Sequence, residues 1–381
     1  MPLSPLEFVA GMYPDTYLDD AAVIACQHIL PTTALLVNSF VDRQLAPKNL
    51  FLIGKCYSTH VETFEHLQDM GVHVDASSRT FDSHQSFDEQ FKANVQNFAA
   101  HVQKHFKHQM PPKLLVIDDG GHLLAAVNES GIDLSRVVGV EQTSSGYEHL
   151  RSIDLKFPVV NVARSRAKLE YESPFIAETG AQILETSFQK YGLEHPNILI
   201  IGAGYIGQAL RHILEQRHSV SICDTDGKLC DFNGRFKQAL GNFDVLVGTT
   251  GSASIVSEDL GHLRSNCLLA SLSSSDREFP ALALRSLNPR MNNPHEDINA
   301  NGVILLNSGF PINFNGLENE APRDILFTRG LLLAGGLQAL AMDNCRGLVD
   351  FDEQIQSRLI EYRLAQSRSV AVTPRTPGLQ R

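Results

Sequence analysis

The stretch NILIIGAGYIGQALRHIL, Asn197–Leu214, decides the fold of the middle of this 381-residue chain. An apolar run, Ile198–Ile201, precedes three glycines spaced as Gly-x-Gly-x-x-Gly at 202–207, and a helix-forming run, Gln208–Glu215, follows them. Glycines at such a strand-to-helix turn let the backbone approach a pyrophosphate at the helix N-terminus, where free N–H groups favour negative charge. The stretch therefore predicts a dinucleotide-binding unit, although a tight turn without a ligand also fits the pattern alone.

The next β-like run ends in an acid where this fold binds the adenosine ribose. Asp224 follows Val220–Cys223, about 20 residues beyond the glycines as the fingerprint expects, and no arginine follows it directly. This favours NAD over NADP as the cofactor. The loop GTTGSASI, Gly248–Ile255, would accommodate the nicotinamide half, although a plain Thr/Gly loop explains it equally well. The cofactor contacts predicted from these motifs are Gly202, Gly204, Tyr205, Ile206, Gly207, Asp224, Thr249, Thr250 and Gly251.

Short β-like runs alternate with helix-length amphipathic runs on both sides of the glycine motif, which predicts parallel sheets. The runs before it are Leu50–Ile53, Leu114–Ile117, Val137–Val140 and Val159–Val162. The runs after it are Val220–Cys223, Val245–Val247, Leu268–Leu272 and Val303–Leu306. The predicted fold class is α/β, with two parallel-sheet Rossmann-like domains and C-terminal helices that pack back across them.

This alternation divides the chain into four parts. Residues 1–177 are the predicted substrate and catalytic domain, and residues 178–314 are the predicted NAD-binding Rossmann domain. Residues 315–365 are predicted to be C-terminal helices that return to the substrate domain. Residues 366–381, which are rich in Ser, Arg and Pro, are predicted to be a disordered tail.

Composition and charge exclude several classes of function. A formal net charge of −11 and the lack of a concentrated basic segment argue against a nucleic-acid or membrane partner. Six cysteines without a Cys-x-x-Cys pair predict a reducing compartment, and we expect a cytoplasmic protein. No metal site is predicted, because His101 and His105 lie one helical turn apart without an acidic third ligand nearby.

A second motif, VIDDGG at Val116–Gly121, places two carboxylates at the end of a predicted buried strand. Its glycines open the following turn, so Asp118 or Asp119 is expected to project into a cleft. A turn or helix cap is the plainer explanation of an isolated Asp after a strand. We interpret Asp119 as the functional carboxylate and Asp118 as its structural neighbour.

Together with this Asp-Asp-Gly-Gly turn, three stretches resemble the S-adenosyl-L-homocysteine hydrolase family in order and spacing. They are ACQHILPTTALLVNSFV (Ala25–Val41), GVEQTSSGYEHL (Gly139–Leu150) and FPVVNVARSRAKLEYE (Phe157–Glu172). Downstream, VGTTGS and PINFNG (Pro311–Gly316) are similar to the family's loop on the nicotinamide side and to one of its turns. The resemblance covers roughly Ala25–Leu340.

The resemblance implies an enzyme whose tightly bound NAD oxidises a ribose hydroxyl transiently. A base then removes the C4' proton, the C5'–S bond of a thioether breaks with loss of a thiol, water adds, and the ketone is reduced again. By the same resemblance, Lys168 acts at the 3'-hydroxyl with Glu172 as its partner, and Asp119 and His28 are the acid and base near C4' and C5'. It adds Thr143, Ser144, Ser145 and Asn313 to the cofactor contacts. It also implies hinges near Glu178 and Asn313 and a homo-oligomer, either a dimer or a tetramer.

Several positions depart from the family pattern. Gln142 stands where a glutamate is expected, Ala177 where a cysteine is expected, and Ser274 where a histidine is expected. Thr32 takes the place of the glutamate that reads the adenine amino group, and ENEAPRD, Glu318–Asp324, replaces a Gly-His-Pro segment. We therefore expect a small-molecule substrate, a nucleoside thioether or another sugar-like compound, with altered base specificity. A net NAD-dependent dehydrogenase of a different alcohol and a non-catalytic NAD-binding regulator are the alternatives.

Overall fold

The computed structural model describes residues 3–231, 236–288, 293–319, 322–342 and 345–371. Within these ranges the α/β prediction is confirmed, because two mostly parallel sheets are covered by helices. The strands are β1 (Ala21–Cys26), β2 (Leu50–Ile53), β3 (His73–Val74), β4 (Lys113–Asp118), β5 (Val137–Glu141), β6 (Pro158–Asn161), β7 (Asn197–Ile201), β8 (Ser219–Cys223), β9 (Val245–Gly248), β10 (Cys267–Ser271), β11 (Ile298–Ala300), β12 (Val303–Leu305) and β13 (Gly347–Asp350).

The α-helices alternate with these strands over most of the chain. They are α1 (Pro5–Met12), α2 (Pro31–Val41), α3 (Val61–Asp69), α4 (Phe87–His105), α5 (His122–Asn128), α6 (Ser144–Leu150), α7 (Arg166–Tyr171), α8 (Ser173–Lys190), α9 (Tyr205–Leu214), α10 (Ala281–Ser286), α11 (Pro322–Leu340) and α12 (Glu353–Ala371).

The first sheet has the strand order β13-β6-β5-β4-β1-β2-β3, and all of its strands are parallel. Its central strands are buried on both faces, which explains their continuous apolar sequences. The central strand β1 is not among the predicted runs; three of the six residues in its sequence AAVIAC are alanines, which are depleted in strands. The short strand β3 and the edge strand β13 were also missed.

The second sheet has the order β11-β12-β10-β9-β7-β8, in which only β11 runs antiparallel to its neighbour among the described strands. The glycine motif joins β7 to α9, as predicted. Helix α8 precedes this sheet and packs along α9. It begins at Ser173, where Pro174 is favourable in the first turn of a helix.

The C-terminal part of the chain packs against the first sheet. Helix α11 contacts α1, α2 and the strands β4, β5 and β6. The segment predicted as helices alone also contains β13, which pairs in parallel with β6. Helix α12 continues to Ala371, beyond the predicted start of the tail at Gln366. The rest of the predicted tail, residues 372–381, lies outside the described residues.

Candidate active site

Four polar side chains follow neighbouring strands of the first sheet. His28 comes after β1, Lys55 after β2, Asp119 directly after β4 and Gln142 directly after β5. These strands are adjacent in the sheet, in the order β5-β4-β1-β2. Because the carboxyl ends of parallel strands meet at one edge, the fold brings all four side chains together there.

Asp119 is at the centre of this group. The ammonium of Lys55 donates to Oδ1, and the side-chain amide of Gln142 donates to Oδ2. The Nε2 atom of His28 lies 3.3 Å from the same Oδ2. Burial opposes ionisation of Asp119, but Lys55 and then His28 outweigh it and hold the pKa of this carboxyl well below its usual value. Asp119 is therefore a charged carboxylate that is only 2% exposed.

His28 is held on three sides. Its Nδ1 contacts the Ser58 hydroxyl at 2.5 Å, and its ring stacks on Phe314 with centroids 4.2 Å apart. Because an ionised Asp119 can only accept, Nε2 carries the ring proton and Nδ1 accepts from Ser58. Burial lowers the pKa of His28, although Asp119 opposes this effect. His28 is therefore neutral near pH 7 and within reach of an ionised carboxylate.

The two other acids at this edge support the turn itself. Asp118 accepts backbone hydrogen bonds from Leu124 and Asp119, both at 2.8 Å, and burial raises its pKa to about 6. Glu141 accepts from the backbone and hydroxyl of Thr143 at 2.6 and 2.7 Å. Burial, followed by the charge of Asp118, raises the pKa of Glu141 well above its usual value. Both acids are engaged by the backbone that positions Asp119.

Lys168 and Glu172 form a second polar group of the first domain, an ion pair. Helix α7 carries Lys168, and Ser165 caps the start of this helix by accepting from the Lys168 backbone at 3.2 Å. Glu172 lies at the junction of α7 and α8, and its second oxygen accepts from the Thr328 hydroxyl at 3.2 Å. The i,i+4 spacing on one helix face explains why these two residues meet.

The backbone of the turn requires glycine at two of its three glycine positions. Gly202 has a φ of +109°, and a Cβ on Gly207 would lie 1.9 Å from the Gly202 carbonyl oxygen. A Cβ on Gly204 would meet nothing within 4 Å, so open space faces this position. Asp224 accepts a hydrogen bond from the Ala203 backbone N–H at 2.6 Å, and this bond is the main reason why the pKa of Asp224 is lowered. A carboxylate therefore lies beside the glycine turn, and its contact with a ribose stays a prediction.

A buried glutamate that was not predicted holds the loop after β9. Glu278 is completely buried and accepts from the backbone N–H groups of Thr250 and Gly251, each at 2.6 Å. Its other oxygen accepts from the Ser254 hydroxyl at 2.5 Å. Its position in the sequence, seven residues after the β10 strand, carried no recognisable signal.

One cavity of about 280 Å³ joins the two domains. The substrate-domain side contributes His28, Asp119 and Gln142, here called the Asp119 group, and the Lys168–Glu172 pair. The other side contributes the loop after β9. The predicted residues that line it are His28, Asp119, Thr143, Ser144, Ser145, Lys168, Glu172, Ile206, Thr249, Thr250, Gly251 and Asn313. The remaining predicted residues, Gly202, Gly204, Tyr205, Gly207 and Asp224, lie outside its lining, at the glycine turn and the end of β8.

The altered positions have partners of their own. Thr32 donates its backbone N–H and its hydroxyl to the carboxylate of Glu318, and the Nε of the buried Arg329 lies 3.3 Å from the same hydroxyl. Ala177 is fully buried in the core of the second domain, and Ser274 lines the cavity. Sequence reasoning missed Lys55, Arg329 and Glu318. Of these, Lys55 gave a signal, because it is a charged residue directly behind a strand-ending Ile-Gly.

Metal ligands and membrane-spanning helices are two further features that bear on function. Over the described ranges, no group of three or more His, Cys, Asp or Glu side chains is placed to hold a metal ion. Within the same ranges, no helix combines the length and apolar character needed to cross a membrane.

The sheet order and the glycine turn define a two-domain Rossmann-like α/β protein. No family model matches the chain, so membership of the S-adenosyl-L-homocysteine hydrolase family is not confirmed. Two curated relatives, described as uncharacterized proteins of Mycobacterium tuberculosis strains CDC 1551 / Oshkosh and ATCC 25618 / H37Rv, are each 39% identical over 332 residues. The match covers 85% of this chain but only 65% of the length of those relatives.

Solved structures give only a loose similarity. The NAD+-bound 3-phosphoglycerate dehydrogenase of Entamoeba histolytica is 11% identical, with a TM-score of 0.38, and the match covers 84% of this chain and 93% of that one. A chain of the dipicolinate synthase of Bacillus halodurans is 12% identical, with a TM-score of 0.43, and the match covers 86% of this chain and 99% of that one. Scores of this size do not assign an activity.

Proposed function

We propose that this protein is an NAD-dependent enzyme, similar to S-adenosyl-L-homocysteine hydrolase, that transiently oxidises a ribose-type secondary alcohol. The observation that carries the proposal is the shared cavity. It places the Asp119 group and the Lys168–Glu172 pair opposite the Thr249–Gly251 loop that continues from the glycine-motif sheet. Such an arrangement suits a reaction that combines hydride transfer with proton transfer.

The residues of the second domain fit NAD. Gly207 tolerates no side chain, Gly204 faces open space, and Asp224 stands beside the turn. These residues would hold the pyrophosphate and the adenosine ribose. When bound, NAD would supply the hydride acceptor for the alcohol. The loop Thr249–Gly251, together with Asn313, would contact the cofactor on the cavity side.

Lys168 is the residue that we propose for the proton of the reacting hydroxyl. It is only 9% exposed, lines the cavity and is oriented by Glu172. Glu172 is in turn held by Thr328. A base needs both access to the proton and a fixed orientation, and the pair supplies both.

His28 and Asp119 are the second acid–base unit of the proposal. Because the pKa of Asp119 is held well below its usual value, this carboxylate is a weak base by itself. Neutral His28 is the better proton carrier, and Asp119 would stabilise the charge that His28 gains. The Oε1 atom of Gln142 is buried without a hydrogen-bond partner in the described structure, and Gln142 lines the cavity. It offers an acceptor for a substrate hydroxyl or amine.

The substrate that we propose is a nucleoside thioether or another sugar-like compound. The Thr32–Glu318–Arg329 group lies at the family's base-reading position, where Glu318 brings a carboxylate from a different part of the chain. A polar site rejects ligands that leave its groups unpaired, so this rearrangement should change the accepted base. A homo-oligomer and a cytoplasmic location remain predictions from the sequence.

The test is single-turnover absorbance at the NADH band after NAD-loaded protein is mixed with S-adenosylhomocysteine, adenosine, inosine and other nucleosides. We expect a band that rises and decays, is absent in Lys168→Ala and is unchanged in Lys190→Ala, whose lysine forms an exposed ion pair with Asp297. A band that rises and stays would favour a net dehydrogenase. No band with any nucleoside, while NAD binds, would contradict the proposal and favour a regulator or a different alcohol.

A further inference from the structure

Glu278 lies at the carboxyl edge of the second sheet and has no role in the chemistry described above. A Cβ on Gly248, the last residue of β9, would lie 2.6 Å from a carboxylate oxygen of Glu278. Glu278 therefore packs directly behind the point where Thr249–Gly251 enters the cavity. Its backbone carbonyl also accepts from the N–H groups of Ser254 and Ile255, at 3.0 and 3.2 Å.

The hydrogen-bond partners of the Glu278 carboxylate within the described ranges are neutral donors. Oε1 accepts from the backbone of Thr250 and Gly251, and Oε2 accepts from the Ser254 hydroxyl, with the Thr250 hydroxyl 3.0 Å away. Donors on both oxygens are the arrangement that an ionised carboxylate requires. Such hydrogen bonds stabilise the negative charge of the carboxylate but do not neutralise it.

No lysine or arginine of the described residues forms an ion pair with Glu278. Its neighbour Arg277 is directed elsewhere, since it pairs with Asp88 at 2.7 Å and also contacts the Gly251 carbonyl at 3.4 Å. The Arg277–Asp88 pair is neutral as a unit. One net negative charge thus remains buried behind the loop, where water does not screen it.

We infer that Glu278 sets the redox preference of the bound cofactor, because its buried charge stabilises the cationic ring of NAD+ and not the neutral ring of NADH. The inference rests on the proposed NAD site. Tighter binding of the oxidised form lowers the potential of the bound couple, so NADH becomes a stronger reductant in the site. Such a site favours return of the hydride within each turnover, as a reaction with no net redox change requires. In this inference Glu278 acts on the cofactor ring by its charge, from behind the Thr249–Gly251 loop, and touches neither substrate nor cofactor.

The experiment measures the Kd of NAD+ and the Kd of NADH for the full chain without substrate. We expect the wild-type protein to bind NAD+ more tightly than NADH. In Glu278→Gln, the ratio Kd(NAD+)/Kd(NADH) should rise about tenfold, since one charge has about this effect even at about 12 Å and an effective dielectric of about 20. A tenfold change corresponds to about 30 mV in the potential of a two-electron couple.

A merely structural role gives a different result. If Glu278 only held the loop, Glu278→Gln would weaken both forms equally and leave the ratio unchanged, which would overturn the inference. Ser254→Ala is the matched control, because it removes a donor to the carboxylate and keeps the charge, so the ratio should stay as in the wild type.

The wild-type ratio keeps the inference testable if Glu278→Gln fails to fold. Tighter binding of NADH than of NAD+ by the wild-type protein would overturn the inference while the proposed function stands. If neither NAD+ nor NADH binds, the proposed NAD site is overturned, and the inference with it.

Discussion

Replacing Lys55 should strongly destabilise the first domain. Its ammonium donates to Asp119 Oδ1, and the side chains of both residues are nearly inaccessible, at 5% and 3% exposure. In Lys55→Met the apolar stem is largely kept, but the Asp119 charge loses the partner that most favours it. Removal of one member of a buried pair costs about 3–5 kcal/mol, because the remaining charge is left uncompensated.

The assay is urea unfolding at pH 7, followed by circular dichroism, on Lys55→Met, Asp119→Asn and the double variant. The double variant removes both charges, so it should recover much of the stability lost in Lys55→Met. Lys190→Met is the matched control, since its pair with Asp297 is mostly exposed on the lysine side and should contribute less than about 1 kcal/mol. A loss below about 1 kcal/mol in Lys55→Met, or no recovery in the double variant, would refute the view that Lys55 compensates a buried charge.

Three further predictions concern the cofactor turn, the ribose acid and pH. Gly207→Ala should abolish NAD binding and destabilise the second domain, because its Cβ would lie 1.9 Å from a backbone oxygen. Gly204→Ala should keep the fold and weaken only NAD binding, because its Cβ would meet nothing within 4 Å. Calorimetry measures NAD binding and thermal unfolding measures stability, so together they distinguish the two variants. Asp224→Asn should weaken NAD binding about tenfold by removing a charged acceptor, and equal affinity in titration would contradict a ribose contact. The pKa of His28 is lower in the folded than in the unfolded protein, so its contribution to stability is present above about pH 6.5 and falls as the pH drops through the folded pKa. The free energy of unfolding, measured between about pH 5 and 8, should therefore depend less steeply on pH in His28→Gln than in the wild type.

The parts of the fold that could be predicted were those where one local signal decides the structure. The glycine turn between β7 and α9 needs only its spacing and the following Asp224, and both are visible in the sequence. Strand β1 was not found, because three of its six residues are alanines, and alanine is depleted in strands, unlike the Leu, Ile and Val of β2 and β4. Strand β13 pairs with β6 across nearly 200 residues of chain, and local periodicity carries no information about such a partner.

The candidate site divides in the same manner. Asp119 follows a strand and precedes two glycines, so its position was visible in the sequence, and Lys168 and Glu172 are spaced to meet on one helix face. The contacts of Lys55 and Gln142 with Asp119 were not predicted, because these residues meet it only through the strand order β5-β4-β1-β2. Sequence order places these strands far apart, and pairing alone brings their ends together.

A buried ion pair at the domain boundary bears on how the cavity opens. Arg285 is almost fully buried and pairs with Asp276 at 2.6 Å, while it also donates to the Gln85 carbonyl of the first domain at 3.1 Å. Asp276 accepts from the Phe87 backbone at 3.3 Å, so both members of the pair contact the start of α4. Separation of the domains would leave each without its partner in the first domain.

Opening of the cavity must therefore break these contacts, and the chain must bend at a point away from them. Helix α8 runs unbroken through the predicted hinge at Glu178, whereas α7 and α8 are separated at Glu172, directly beside the cavity. We expect the bend at Glu172 for this reason, and a bend there would also move the partner of Lys168. Closure of the domains and orientation of the proposed base would then be one event, which prevents proton removal before the substrate is enclosed.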